Sequence, residues 1–338
     1  MSGSTPFIIS GTQLNSFLHI AADYPIVGIN MEKKKVIKQV VGWLLAGIII
    51  YILFRTIYNN RQELYDWDWQ INWLNAVLAI ISLLTAYITA SQAWRVMLHG
   101  FGHNVRLHES FRVVYLANLG RYIPGKVWQV IGMVGLAKEV NVPARVSLAS
   151  FALVQAYALP ASFLLVPLLL WRSDALASLE VYRDIVYAFM AVVFLGFLIL
   201  FFWPNGLDWA LNKILKMFKQ EPVGYKPSFG NRISIFIWYI ITWIFFGLSF
   251  HFFLKALIPE PALDFKFATG AYIAAYNLGY IALISPGGLG VREGVITALL
   301  ATSLGQPIAA SISLIHRILI TIAEAFISLL ALLTYKIK

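Results

Sequence analysis

The chain contains no cysteine. Disulfides, thiolate-bound zinc, iron–sulfur clusters and thiol nucleophiles are therefore excluded. It is also poor in charge. Asp, Glu, Lys and Arg make up 12% of the 338 residues, whereas 59% are apolar. A soluble domain carries roughly 25% charged residues. Acidic residues are the scarcest, 16 against 26 Lys and Arg, which gives a net charge of +10. There is no G-x-x-x-x-G-K-[ST] run, so the chain has no ATP engine of its own. The run G-L-G-V-R-E-G at 288–294 departs from G-x-G-x-x-G and follows no strand, so it is not a dinucleotide site. The first thirty residues hold no Lys or Arg and so lack the basic n-region of a secretory signal. They read as a disordered tail or a mis-called start. Met31, followed by Glu32 and Lys33 to Lys35, opens a single transmembrane domain at 31–338.

What the chain does have is long apolar runs, the mark of an all-α polytopic membrane protein. Spans are expected at about 37–58, 73–96, 146–171, 184–204, 233–254 and 307–335. Each is close to the roughly 20 residues that a bilayer requires. Positive charges orient them. One side collects most of the Lys and Arg, among them Lys33 to Lys35, Arg112, Lys138, Lys213, Arg232 and Lys336. The other collects Arg55, Arg61, Arg172, Arg183, Lys255 and Lys266. The richer side is expected to be cytoplasmic, with both chain ends on it and the protein in a bacterial inner membrane.

Two further apolar segments, about 113–137 and 267–304, are broken by Pro and Gly. The first carries N-L-G-R-Y-I-P-G-K-V-W at 118–128. The second carries N-L-G-Y-I-A-L-I-S-P-G-G-L-G-V-R-E-G at 277–294. Pro and Gly end or bend helices. Irregular backbone at membrane depth survives only inside protein or along a cavity. Broken segments in corresponding positions of two halves point to a transporter binding site. The charge pattern makes the first a re-entrant hairpin from the cytoplasmic side, turning at Pro124 and Gly125. The second becomes a hairpin from outside, turning at 285–290. Six full spans plus two hairpins then form an inverted-topology repeat, with halves at about 36–172 and 183–335. The alternative is an eight-span bundle.

The chemistry lies at the breaks. A helix that starts at mid-membrane offers unpaired N–H groups and a positive dipole end, an anion site. Arg121 and Lys126 flank the first break. Arg292 follows Gly287, Gly288 and Gly290, whose missing side chains let a ligand reach the backbone. Arg121 and Lys126 can equally sit at the surface among lipid headgroups. Asn118 and Asn277 are placed to cap or hold the hairpins. Arg317 and Glu324 lie inside the last span, seven residues apart on one face. Intramembrane ionisable groups point to function. Here the choice is between coupling or substrate contact and pairing, with each other or with Glu293 and Arg292. His251 and Gln155 also lie within spans. The stretch 205–232, with Lys213, Lys216 and Lys219 beside Leu211, Ile214, Leu215 and Phe218, reads as an amphipathic helix on the anionic inner leaflet.

R-Y-I-P-G-K-V-W and S-P-G-G-L-G-V-R-E-G are similar to the two hallmarks of the lysylphosphatidylglycerol synthase transmembrane-region, or flippase-like, family. The resemblance covers nearly the whole chain from Lys33. It implies movement of lipids between leaflets. Pro124, Gly125 and Lys126 match the first motif. Pro286, Gly287, Gly288, Gly290, Arg292, Glu293 and Gly294 match the second. The sequence stops at Lys338, just past the last span, so the resemblance supports the translocation module and not lipid synthesis. The expected function is a flippase for an anionic phospholipid or lipid-linked headgroup, with no cofactor and no metal. Its expected partners are membrane lipids and a lipid-modifying enzyme, and not nucleic acid. Two other readings stand beside it. One is an integral-membrane glycosyltransferase or other lipid-modifying enzyme, resting on Asp66 and Asp68 in the first outer loop. The other is a non-transporting accessory subunit.

Overall fold

The structure, a computed structural model, describes residues 47–67, 69, 71–122, 127–170, 183–225, 227–258, 263–282 and 285–333. Among these residues the regular elements are helices, and no strand occurs. In chain order they are α1 (Gly47–Asn59), α2 (Arg61–Asp66), α3 (Trp73–His99), α4 (Leu107–Asn118), a 3-10 turn at Leu119–Tyr122, α5 (Val127–Lys138), α6 (Ala144–Leu170) and α7 (Arg183–Phe202). Then come α8 (Pro204–Met217), α9 (Phe229–Leu257), α10 (Phe265–Ile281), a 3-10 turn at Pro286–Gly288, α11 (Val291–Leu304) and α12 (Gln306–Leu333). Four helices are long and apolar enough to cross a membrane: α3, α9, α12 and the Ala144–Val166 part of α6. The apolar run expected at 184–204 forms the 20-residue α7. The one expected at 37–58 is described only from α1 onward, and the tail expected at 1–30 lies outside the described residues.

The helix starts are written in the sequence. The side chains of Asn72, Ser228 and Asp264 accept hydrogen bonds from the N–H groups of Asn75, Asn231 and Phe267, at 3.1, 3.1 and 2.7 Å. Each satisfies one of the four donors that a helix leaves free at its start. The most extensive packing joins α3 to α9. On α3, Ala79, Ala86 and Ala93 recur every seven residues and are almost fully buried. Small residues at that spacing let helix backbones approach closely in a membrane. Thr242 of α9 donates to the hydroxyl of Thr89 on α3 at 3.0 Å, a polar tie within this contact. On α12 the opposite pattern holds. Ile318, Ile322, Phe326, Leu329 and Leu333 face outward, as apolar side chains do toward lipid.

Both broken segments consist of two short arms. Arms α4 and α5 have 12 residues each, and α10 and α11 have 17 and 14. At 1.5 Å per residue these arms run about 18 to 26 Å, short of the ~30 Å hydrocarbon core. Within each pair the arms pack on one another. The two 3-10 turns that end α4 and follow α10 also touch. Packing between the halves is reciprocal: α6 lies against α10, and α12 lies against α4.

One expectation changes. The stretch 205–232 does contain an amphipathic helix, α8, but its leucine stripe is not turned to lipid. Leu207, Leu211 and Leu215 are buried against the protein, with α6 and α7 as neighbours. Asp208 and Asn212 accept from the N–H groups of Tyr225 and Val223 at 2.9 and 2.8 Å, folding the return loop onto the helix. The outward strip is Trp209, Ile214 and Met217, with the Lys213 ammonium 5.0 Å from the Trp209 ring centroid. Arg232, one of the charges counted on the richer side, is a buried side chain. It donates to the carbonyl of Phe201 in the last turn of α7 and lies over the rings of Phe201 and Phe229. A cation at a helix C-terminus is stabilised by its unpaired carbonyls.

Candidate functional site

The two N-L-G runs mark where each descending arm meets its returning arm. In the first, the side-chain Oδ1 of Asn118 accepts from the Gln129 side-chain amide at 2.5 Å. A Cβ on Gly120 would lie 2.6 Å from the backbone of Trp128 and Gln129. In the second, a Cβ on Gly279 would lie 2.4 Å from Cγ of Arg292. Each glycine is therefore the space that its returning arm occupies. In the first hairpin that space is filled by backbone, in the second by an arginine side chain. Asn277 does not hold its own hairpin. It is buried, and its side-chain Oδ1 accepts from the Ser162 hydroxyl of α6 at 2.8 Å, tying α10 to α6.

The second tip owes its shape to glycine. Gly287, Gly288 and Gly290 have φ of 60°, 73° and 82°, in the left-handed region that disfavours side chains. After this turn α11 begins, and Glu293 at its third position accepts from the N–H of Gly290 at 2.6 Å. The tip is further closed by the Ser285 hydroxyl, which donates to the carbonyl of Leu289 at 2.5 Å. Arg292 leaves the first turn of α11 and lies over the Tyr276 ring, its guanidinium carbon 4.0 Å from the centroid. Among the described residues no carboxylate forms an ion pair with it, and its Nε has no hydrogen-bond partner.

Arg292, Gly287 and Gly288 line a cavity of about 540 Å³ that reaches all the way to Phe218 at the end of α8. Its lining combines Tyr276, Tyr280, Asn118, Gln129 and Glu324 with apolar side chains such as Val130, Val134, Leu148 and Phe151. Such a volume and a mostly apolar lining with few polar groups are typical of small-molecule sites. Glu324 accepts from the Tyr87 hydroxyl at 3.3 Å. A smaller pocket of about 20 Å³ lies behind the same wall, lined by Glu293, Ser313, His316 and Arg317 together with Arg292 and Tyr276. There Glu293, 3% exposed, meets Nε of Arg317 at 3.5 Å. Of the pairings open to Arg317, the structure shows the one with Glu293. His316 is buried edge-on to Phe250 and Tyr272 and tilted against Phe253.

The structure thus brings Arg292, Gly287, Gly288, Asn118 and Glu324 around one cavity, with Glu293 and Arg317 behind it. Gly290 starts α11, and Pro286 opens the tip turn. Pro124, Gly125 and Lys126 lie outside the described residues. Arg121 is in the first 3-10 turn, and its side chain also lies outside them. His251 packs against Phe252 and Phe265, away from the cavity, whereas Gln155 lines it. At the end of α2, the Asp66 carboxylate accepts from Gln62 at 3.2 Å, and Asp68 lies outside the described residues. Sequence reasoning missed Tyr276, Gly279 and Gln129. Gly279 is part of the N-L-G repeat, and its role was legible there only as a shared letter.

A family model described as the lysylphosphatidylglycerol synthase TM region matches residues 39–328. No curated protein matches the chain.

Proposed function

This chain belongs to the lysylphosphatidylglycerol synthase TM-region family, multi-pass membrane proteins linked to lipid handling, and within it we propose a flippase for an anionic lipid headgroup. One observation carries the reading. Arg292, at the start of a helix whose arm is too short to cross the bilayer, lies in a cavity of about 540 Å³ with no carboxylate paired to it among the described residues. An unpaired cation at membrane depth is costly. A phosphate or carboxylate offsets that cost by accepting the guanidinium's two-pronged hydrogen bonds. The adjacent glycine backbone and the N-terminus of α11 add donors of the same sign. Gly287, Gly288 and Gly290 keep that approach open, while Glu293 and Arg317 fix the tip by pairing behind it. The apolar part of the lining, Val130, Val134, Leu148 and Phe151 among it, suits the first part of an acyl chain.

The same reading includes the topology. Paired short arms, touching tips and reciprocal packing of α6 and α12 on the opposite hairpins support an inverted repeat of six spans and two re-entrant hairpins. Rocking of one half against the other would expose the cavity to each leaflet in turn. Lys126 and Arg121 would add cations from the first tip. The protein would sit in the inner membrane with both ends cytoplasmic, handing lipid from or to a modifying enzyme.

Native mass spectrometry of the purified protein tests the site. The wild type is expected to retain phosphatidylglycerol in preference to phosphatidylcholine, and Arg292→Ala to lose that preference by about tenfold, the equivalent of ~1.4 kcal/mol. Equal retention of both lipids by the wild type would contradict the reading.

A further inference from the structure

The two hairpins present different chemistry at matching places. In the second, the Arg292 side chain fills the space at the glycine of the N-L-G run. In the first, the backbone of Trp128 and Gln129 fills it. Of these two, Gln129 lines the cavity of about 540 Å³, as Arg292 does. The tips of the two hairpins touch. One hairpin therefore brings a cation to the cavity. The other brings a neutral amide, bonded to a second amide, Asn118, which lines the same cavity.

What this amide pair leaves unused defines what it can bind. A side-chain amide has one acceptor oxygen and one nitrogen with two N–H donors. The bond between the pair uses Asn118 Oδ1 and one N–H of Gln129, at 2.5 Å. Gln129 Oε1 and Asn118 Nδ2 make no hydrogen bond among the described residues, and both side chains are only partly buried. The pair thus offers one acceptor and further donors side by side. Turning both amides over exchanges their roles and leaves the same inventory. A hydroxyl both donates and accepts, so two neighbouring hydroxyls answer both groups. A phosphate diester oxygen only accepts, and a quaternary ammonium does neither.

We propose that Gln129 and Asn118 select for hydroxyls on the headgroup, so that the lipid this chain takes is a phosphodiester of a polyol or sugar. The inference rests on the anion-site reading above and adds the neutral part of the same ligand. Arg292 takes the phosphate. The amide pair on the adjoining hairpin takes the hydroxyls beyond it. Gln155 of α6 is a third neutral amide in the lining, and Tyr276 and Tyr280 of α10 add phenol groups. The volume is that of a site for a whole small molecule, larger than one phosphate needs. A site built to hydrogen-bond a hydroxyl rejects an analogue without it, because its own polar groups are then left unpaired.

Two lipids with the same acyl chains separate the parts of this recognition. Phosphatidylglycerol and phosphatidylethanol are both monoanionic phosphodiesters, and only the first carries hydroxyls on its alcohol. The test is native mass spectrometry of the full chain with the two lipids in competition, and phosphatidylcholine as reference. The wild type is expected to retain phosphatidylglycerol over phosphatidylethanol by about tenfold, and both over phosphatidylcholine. Gln129→Met keeps the side-chain length without the amide. It is expected to bring the ratio of the two anionic lipids close to one while both stay preferred to phosphatidylcholine. Asn118→Ala reads the same ratio if the first variant does not fold. A purely structural role would lower retention of both anionic lipids alike and leave their ratio unchanged, which would overturn the assignment to these residues. Equal retention of the two anionic lipids by the wild type, both above phosphatidylcholine, would overturn the inference and leave the anion site standing. Retention of neither above phosphatidylcholine would overturn the anion site and this inference together.

Discussion

Arg292 lies where the side chain of residue 279 would be. Gly279, two residues before the end of α10, has no Cβ, and a Cβ there would stand 2.4 Å from Cγ of Arg292. The arginine reaches the Tyr276 ring because position 279 is empty. Gly279→Ala is therefore expected to push Arg292 off that ring and to reduce lipid movement about tenfold or more, an effect on the order of 1.4 kcal/mol. Protein level should hold, since a flexible side chain can move aside. Gly230→Ala, where nothing lies within 4 Å, is the control and should transport normally. Full transport by Gly279→Ala would separate the arginine's placement from function.

Gly120 occupies the equivalent place in the first hairpin, and the consequence there differs. A Cβ there would meet backbone atoms of Trp128 and Gln129 at 2.6 Å, which cannot rotate away. Gly120→Ala is expected to destabilise the hairpin by about 1–3 kcal/mol, as overpacking does. A fall in thermal stability in detergent, with lower membrane abundance, would register it. An unchanged melting temperature would contradict the packing described.

The Glu293–Arg317 pair gives a third expectation. Glu293→Gln leaves Arg317 without its carboxylate, and breaking a buried pair from one side costs about 3–5 kcal/mol. The double variant Glu293→Gln with Arg317→Gln should recover part of that loss, because no unmatched charge remains. Thermal denaturation of the two single variants and the double variant measures the coupling. Additive losses would mean that the 3.5 Å contact carries no pairing energy.

Arg145 and Glu221 form an ion pair at the surface, with side chains 42% and 82% exposed. Pairs of this kind contribute about 0–1 kcal/mol and are screened by salt. Glu221→Ala should therefore change stability by less than about 1 kcal/mol, even though the pair joins α6 to the loop that follows α8. A larger loss in the same denaturation assay would make this contact a structural latch.

Much of the helical fold was legible because each long apolar run is one helix. The segments read at 73–96, 146–171, 233–254 and 307–335 became α3, α6, α9 and α12, with ends set by caps such as Asn72 and Ser228. The broken segments were legible from Pro and Gly. What periodicity could not supply was which neighbour each face meets. The leucines of α8 look the same whether lipid or α6 covers them. Arg317 and Glu324 share a face, but seven residues of rise separate them by about 10 Å along the axis, so a partner on another helix was needed. That partner is Glu293, which sequence could name only as one choice among several. Gly279 and Arg292 are thirteen positions apart, across a turn, and their contact follows from the hairpin's path.

The central claim is that Arg292 binds the headgroup of a lipid that this chain moves. Purified protein in liposomes containing fluorescent phosphatidylglycerol tests it most directly, with wild type and Arg292→Ala reconstituted side by side. Movement between leaflets by the wild type, and its loss in the alanine variant at equal protein content, is the predicted result. Equal movement by both proteins, or none by the wild type, would contradict the account.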